Sequence, residues 1–328
     1  MKPRNTLLMP KTDADFEKSA LEIFEFQYRQ NPIYRRFCDL LNLEKATINR
    51  LEKIPFLPIQ FFKSHKILSS TQNIEQIFTS SGTTGITPAK HFVTNLSLYE
   101  DSFTTAFEQF YGKIEDYLIL ALLPSYLERK GSSLVYMADA FIKKSKYPES
   151  GFFLNNFSAL AKRLQTAEEE GKKTLLLGVS FALLDFVQSF QFQLKNTIVM
   201  ETGGMKGRRK EPTRSELHQE LCKGFGVDKI HSEYGMTELL SQAYSQGNGI
   251  FECPYQMKIL IRDPEDPFKI QPKGKIGGIN IIDLANVNSC AFIATQDLGK
   301  KTGKNSFEIQ GRFDNSDLRG CNLMAITV

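Results

Sequence analysis

The sequence contains no tryptophan, only four histidines and five cysteines, and no apolar run long enough to cross a bilayer. The cysteines (Cys38, Cys222, Cys253, Cys290 and Cys321) are odd in number, widely separated and without a C-x-x-C pair. That pattern argues against a disulfide framework and a zinc site and fits a reducing compartment. His65, His91, His218 and His231 lack metal-ligand spacing with any cysteine or carboxylate. The longest apolar stretch, Thr174 to Val187, is interrupted by Gly178, Ser180 and Asp185 and falls short of the ~20 residues of a membrane span. The opening segment MKPRNTLLMPKTD lacks the apolar core of a secretory signal, so a cytoplasmic location is expected. Charge of one sign is scarce too. With 41 basic and 37 acidic residues the net charge is +4, too small and too scattered to argue for a nucleic-acid surface. The one dense basic run, Lys206 to Lys210, reads as a solvated loop or as a face turned to nucleotide phosphates or an acidic carrier protein.

What is present describes an ordinary globular protein: 328 residues, 24% charged and 41% hydrophobic, enough to bury a large core. Residues 13–30 carry apolar positions at helical spacing, Asn31-Pro32 closes that helix, and Pro32 opens a second as its first residue. Pro55 and Pro58 enforce an extended crossing, after which Phe61 and Phe62 are expected to anchor in a core. From Phe78 the pattern alternates between the strands QIFTS, KHFVT, YLILALLP, TLLLGVS and TIVMETG and helices at Leu96–Phe110, Ser132–Lys144, Phe157–Glu170 and Phe181–Phe190. Near-continuous apolar strands separated by helices indicate an α/β fold with a mostly parallel sheet covered on both faces. Thr213-x-x-Glu216 is a capping box for one more helix. After about Pro254, short alternating pieces such as QMKILIR and CAFIAT point to an appended antiparallel sheet or small barrel without helices.

The chemistry centres on Ile77 to Lys90, IFTSSGTTGITPAK. Ser80, Ser81, Gly82, Thr83, Thr84 and Gly85 can turn backbone N–H groups and hydroxyls inward, and Lys90 adds a cation, a set suited to a polyphosphate. It is not the common NTPase loop, because Ile86 follows Gly85. By itself the stretch reads first as a polar surface loop. Four later clusters supply its company. Gly203 and Gly204 end the METGG strand with bare backbone for a planar ligand. HSEYGMTE offers the ring of Tyr234 beside Gly235, the hydroxyl of Thr237 and, in Glu238, a hard oxygen ligand for a magnesium ion carried by phosphates. ATQDLG places Asp297 after a strand, where a carboxylate can accept both hydroxyls of a ribose, and QGRFDNSDLRG holds Arg312 with its fork of donors.

In this order, SSGTTG…PAK, YGMTE, TQDLG and GRFD…RG, the chain resembles the adenylate-forming superfamily of acyl-CoA synthetases, luciferases and nonribosomal adenylation domains. More narrowly, LPSYLERKGSSLVYMA (123–138), METGGMKGRRKE (200–211), HSEYGMTELLSQAY (231–244) and RGCNL (319–323) resemble the LuxE-type acyl-protein synthetases, the fatty-acid-activating members of the bacterial bioluminescence reductase complex. The resemblance covers roughly residues 61–323. It implies ATP and Mg2+ as cofactors and a carboxylic, fatty acid substrate that becomes an acyl adenylate and then a thioester. The acceptor is a thiol of the protein itself, an acyl carrier protein, CoA or a partner acyltransferase or reductase. By the same resemblance Ser80 to Gly85 and Lys90 hold the phosphates, Gly203, Gly204 and Tyr234 frame the adenine, Thr237 touches the α-phosphate, Glu238 binds magnesium, and Asp297 and Arg312 hold the ribose.

The implied organisation is a large domain over 1–312, comprising a helical layer (1–60), an α/β core (61–253) and an antiparallel part (254–312), followed by a hinge and short tail over 313–328. The sequence departs from the family in two places. Thr-Gln-Asp stands where Thr-Gly-Asp is frequent, which leaves the carboxylate in place. Only sixteen residues follow Arg312, and no lysine follows Lys304, whereas full-length members continue with a small domain that supplies a catalytic lysine. The chain is either truncated or a minimal member. Cys321, near Arg319, is the acyl acceptor that the LuxE pattern implies, or an inert thiol. His231 is either structural or part of an acyl pocket, the 26 phenylalanines are either core or acyl-tunnel lining, and Tyr126, Glu128, Arg129 and the turn at 131–133 are placed at the substrate mouth. Two other functions fit the same residues: a small acyl-CoA ligase resembling phenylacetate-CoA ligases, and a nucleotide-binding relative that has lost turnover.

Overall fold

The structure is a computed structural model, and it describes residues 9–42, 44–80, 87–124, 131–154, 156–203 and 213–313. Helix α1 (Asp13–Gln30) begins where the sequence places it, because Thr12 accepts from the Asp15 N–H while the Asp15 carboxylate takes the Thr12 N–H in return. Asn31 closes α1 and caps α2 (Pro32–Leu40) through bonds from the N–H groups of Ile33 and Tyr34. The extended crossing after Pro55 becomes strand β1 (Leu57–Pro58), followed by the single turn α3 (Phe61–Ser64). Phe62 is buried there as expected, whereas Phe61 is only half-buried, its ring stacked on His65.

Next come β2 (Gln76–Thr79), β3 (Lys90–Val93), α4 (Leu96–Tyr111), β4 (Leu118–Leu122), α5 (Ser133–Lys144), β5 (Gly151–Phe152), α6 (Phe157–Glu169), β6 (Thr174–Val179), α7 (Ser180–Ser189), β7 (Thr197–Thr202), α8 (Arg214–Phe225) and β8 (His231–Tyr234). Strands β5, β4, β6, β7 and β8 run parallel, and every residue of β4 and β6 is buried, as their unbroken apolar sequences require of a sheet covered on both faces. The aromatic residues of α4 form its inner face: Tyr99 meets Phe103 edge-on at 4.9 Å, and Phe107 stacks with Tyr111 at the same separation. Helix α8 carries the expected capping box at Thr213 and Glu216. It ends at Gly226, whose φ of +64° and closeness to the Phe192 carbonyl leave no place for a side chain.

Two expectations need correcting. QIFTS and KHFVT do not join the parallel sheet. As β2 and β3 they form a separate antiparallel hairpin with Thr79 opposite Lys90, because the short connection between them returns the chain along its own path. Nor is the antiparallel part an independent appendage. Strands β9 (Ala243–Ser245), β10 (Ile250–Glu252), β11 (Met257–Arg262), β12 (Ile276–Asp283), β13 (Phe292–Lys301) and β14 (Ser306–Arg312) continue the parallel sheet through β8–β9 and β10–β14 pairs, in the order β11-β12-β13-β14-β10-β9-β8-β7-β6-β4-β5. Strand β1 pairs parallel with β13, tying the N-terminal layer to that end. A 3-10 turn, Leu284–Asn288, interrupts the stretch read as helix-free. Among the described residues no helix is long and apolar enough to cross a membrane.

Candidate active site

The site lies where β8 leaves the sheet and β13 and β14 run beside the loop that follows. Tyr234, the last residue of β8, donates its hydroxyl to Asp297 Oδ2 at 2.8 Å, and Arg312 Nε donates to Asp297 Oδ1 at 2.8 Å. Asp297 and Arg312 face each other directly across the β13–β14 pair, so backbone register alone brings this carboxylate and guanidinium together. The Tyr234 ring is fixed edge-on against Phe251 and Phe307. Asp297 is 95% buried (relative exposure 5%), while the Arg312 side chain is 78% exposed and so marks the open side of the site.

Three residues beyond Gly235, Glu238 is buried, and burial pushes its carboxyl up to about 7. Its own backbone N–H, Lys63 and Arg312 pull the other way, and the Asp297 charge adds to the rise, so these groups lie within electrostatic reach of Glu238. Among the described residues no cluster of three His, Cys, Asp or Glu side chains could hold a metal by itself. One buried carboxylate is what Mg2+ asks of a protein when phosphate oxygens and water complete its shell, so the residues present fit a nucleotide-borne magnesium ion.

The loop that presents Thr237 and Glu238 is held from behind by residues that sequence reading passed over. His91 of β3 has Nδ1 2.8 Å from the Thr237 carbonyl and Nε2 3.1 Å from Asn286 Oδ1, and Asn286 Nδ2 donates to the Glu238 carbonyl at 2.8 Å. Asn286 belongs to the 3-10 turn, which Gln27 of α1 secures by donating its Nε2 to the backbone carbonyls of Asn286 and Val287. Asp283, fully buried at the end of β12, accepts from the N–H groups of Leu240, Ser241 and Ala285 and from the Ser241 hydroxyl. None of these has a motif around it. Their only trace in the sequence is a set of polar residues embedded in apolar runs.

A cavity of about 170 Å³ opens beside this loop, with Thr79, Gly203, Gly235 and Thr237 in its wall together with Ser132 and Ser133 from the start of α5. The turn at 131–133 placed at a substrate mouth is therefore in contact with the same space, Gly131 accepting the Thr79 N–H through its carbonyl. Ser80 stands at the base of the β2–β3 hairpin, paired with Ala89, and its hydroxyl accepts the Ala89 N–H. Lys90 lies exposed next to that pair. The expected roles of Ser81 to Gly85, Gly204, Tyr126, Glu128, Arg129, the basic run 206–210 and Cys321 lie outside the described residues. His231 is buried against Tyr111, its Nδ1 3.2 Å from the tyrosine hydroxyl, and does not line the cavity. The structural alternative holds for it.

Comparison with known proteins follows this geometry. Residues 9–98 match the family model described as "Acyl-protein synthetase, LuxE". The chain is 23% identical over 325 residues to a long-chain-fatty-acid–luciferin-component ligase of Vibrio harveyi, covering 92% of this chain and 84% of that one. It is 24% identical over 304 residues to the ligase of the same name from Aliivibrio fischeri, covering 86% and 78%. In fold it is similar to a 2-hydroxyisobutyryl-CoA ligase solved with 2-HIB-AMP and CoA, with a TM-score of 0.69 at 13% identity over 96% of this chain and 80% of that one. It is also similar to ATP-bound MatB from Rhodopseudomonas palustris, with a TM-score of 0.56 at 18% identity over 74% and 49%. The likeness read from the motifs thus recurs in sequence and in fold: the chain is similar over residues 9–98 to the LuxE family and over most of its length to two long-chain-fatty-acid ligases, and its fold is similar to that of the two solved ligases.

Proposed function

We propose that this protein activates a carboxylic acid with ATP and hands the acyl group to a thiol; its similarity to ligases named for joining a long-chain fatty acid to a luciferin component supports the reading. The observation that supports the reading is the hydrogen-bonded set of Tyr234, Asp297 and Arg312, far apart in sequence, with Glu238 in electrostatic reach of Asp297 and Arg312, and with Thr237, next to Glu238, in the wall of a cavity that Gly203 also lines.

In this reading Asp297 accepts the ribose hydroxyls through lone pairs left free by Tyr234 and Arg312, and bare backbone at Gly203, where a side chain would meet nothing within 4 Å, admits the flat base. Ser80 and Lys90 of the hairpin, with Ser81 to Gly85 between them and Gly204 after β7, complete the nucleotide contacts. Glu238 would hold the magnesium ion. That ion, when bound, neutralises phosphate charge so that a second anion can approach. The acid's carboxylate oxygen then attacks the α-phosphorus from the cavity side, with the Thr237 hydroxyl at the α-phosphate. The bond from that phosphorus to the β-bridging oxygen breaks, and pyrophosphate leaves with the electron pair. A thiolate next attacks the acyl carbonyl, and AMP departs. The demand on the protein is chiefly to position two anions and screen their charge.

Carboxylate-dependent exchange of labelled pyrophosphate into ATP tests the first half, and intact-mass analysis tests the second. An acyl adduct on the protein that falls at least tenfold in Cys321→Ser, with exchange retained, assigns the acceptor. Release of acyl-CoA with no adduct would make the protein a CoA ligase instead, and ATP binding without any exchange would leave it a nucleotide-binding relative. Asp297→Ala is expected to weaken ATP binding by roughly 10- to 100-fold, the worth of one hydrogen bond to a charged group at ~1.5–3 kcal/mol. Calorimetric titration that returned an unchanged Kd would remove Asp297 from the site.

A further inference from the structure

A second, larger hollow lies between the N-terminal layer and the antiparallel strands, and the nucleotide site does not account for it. This groove has a volume of about 770 Å³, and its wall includes Phe37, Ile54, Phe56, Phe268, Ile276 and Leu298. Ala294, Gln296 and Leu298 face it from β13 and alternate there with Asp297, so it opens on the face of that strand away from the Tyr234–Asp297–Arg312 set. Phe268 and Ile276 are 57% and 52% exposed, large apolar side chains that folding leaves in water at the groove.

Two polar side chains in the same wall are incompletely satisfied. Asn280 is 1% exposed; its Oδ1 accepts from Arg262 Nη1 at 2.8 Å, which fixes the orientation of the amide, and its Nδ2 then has no acceptor. Arg262 gives three of its five N–H groups to neutral oxygens, those of Asn280 and of the Ile279 and Thr295 carbonyls, and among the described residues it forms no ion pair. Its guanidinium lies against bare backbone at Gly278, where a Cβ would stand 2.4 Å from Cζ, and 5.3 Å from the ring centroid of Phe313. Burial pulls the guanidinium down to about 10, and the groups acting against that are Asp297 and Tyr234. None of the acids in the groove wall, Glu52, Asp263 and Glu265, is among them, and Asp263 is engaged by Lys269 and Gln271. A cation without a counter-ion beside an amide donor without an acceptor suits a planar oxygen anion, which the fork of an arginine matches.

Beyond this polar corner the wall is largely apolar. A cavity of about 150 Å³ holds benzene, with six carbons, so a groove of about 770 Å³ has room for a chain of fourteen or more. We infer that the groove is a binding site for a long-chain fatty acid, separate from the nucleotide site: Arg262 and the Asn280 Nδ2 receive the carboxylate, and the alkyl chain lies along Phe56, Phe268, Ile276 and Leu298. The inference goes beyond the acyl-activating reading, since binding here needs neither ATP nor a covalent step. An acid held there stands one strand away from the site that activates it.

The test is equilibrium dialysis of the full chain against labelled tetradecanoate without ATP, followed by photolabelling with a tetradecanoate that carries a diazirine near its methyl end. Saturable binding is expected, at least 100-fold tighter than that of octanoate, because each buried methylene contributes about fourfold. It should also be at least tenfold tighter than that of tetradecanol, which lacks the charge. The label should fall within residues 52–60 or 262–276. Phe268→Asp and Ile276→Asp, at exposed positions whose replacement leaves the core intact, should each weaken binding at least tenfold. Arg262→Gln should bring tetradecanoate down to the level of tetradecanol; if that variant does not fold, the two exposed positions and the label decide. Labelling confined to the walls of the smaller cavity, equal binding of tetradecanol, or affinity unchanged in both aspartate variants overturns the inference while leaving acyl activation standing. So does a sedimenting dimer that either aspartate variant splits, which would give the groove to a second copy of the chain. Binding and labelling at the groove without pyrophosphate exchange for any acid would sustain the inference and sink the activation reading instead.

Discussion

Glu238→Ala is expected to lower carboxylate-dependent pyrophosphate exchange by on the order of 10³-fold. A divalent cation at a transferring phosphoryl group supplies several kcal/mol of charge stabilisation, and each ~1.4 kcal/mol is a factor of ten in rate. Among the described residues no cluster of acids stands ready to replace the lost ligand. Glu238→Gln, which keeps the shape and removes the charge, should fall nearly as far. The loss should not come from unfolding. A carboxyl whose value is raised by burial lends the folded state stability only at low pH, and that contribution is lost as pH rises from 4.5 through about 7. At pH 8, without metal, the ionised side chain therefore burdens the fold, and the glutamine variant should melt no lower than wild type. Near wild-type exchange in either variant, or a large drop in Tm in both, would show that the carboxylate has been given the wrong task.

The contrast between legible and hidden features has a physical basis. Strands β4 and β6 could be read because a sheet covered on both faces demands unbroken apolar sequence, and α8 because Thr213 and Glu216 satisfy each other's backbone within one turn. Tyr234, Glu238, Asp297 and Arg312 were singled out because each sits in a short motif whose order along the chain is distinctive. The resemblance put Arg312 beside Asp297, and the structure shows how: the β13–β14 register, which includes a bulge between Leu298 and Gly299, sets the two opposite each other. The hairpin of β2 and β3 was misplaced because an apolar pentapeptide has no mark of which sheet it will join. His91, Asn286 and Gln27 were invisible for a further reason: each bonds to a backbone carbonyl far along the chain, and carbonyls have no sequence identity.

That last class of interaction leads to the prediction with the largest effect on the fold itself. Asp283→Ala should destabilise the protein by roughly 4 kcal/mol or more, since four donors meet one fully buried carboxylate and hydrogen bonds to charged groups contribute about 1.5–3 kcal/mol each. Burial raises the carboxyl's value and the four donors lower it, so the donors are what make an anion tolerable there. Their removal from its reach leaves three buried N–H groups without an acceptor, against a total stability of about 5–15 kcal/mol for a typical domain. The damage is directed at the site. Leu240 and Ser241 follow Glu238 by two and three residues, and Ala285 lies in the first turn of the 3-10 segment whose Asn286 grips the Glu238 carbonyl, so Asp283 fixes both ends of the clamp. Ser241→Ala, which removes one of the four donors, should cost only about 1 kcal/mol and leave a folded protein with reduced exchange. Denaturant midpoints for the two variants provide the check. A loss below ~1 kcal/mol for Asp283→Ala would mean that water or a rearranged loop satisfies those donors, and that the loop bearing Glu238 is held by the His91–Asn286 side alone.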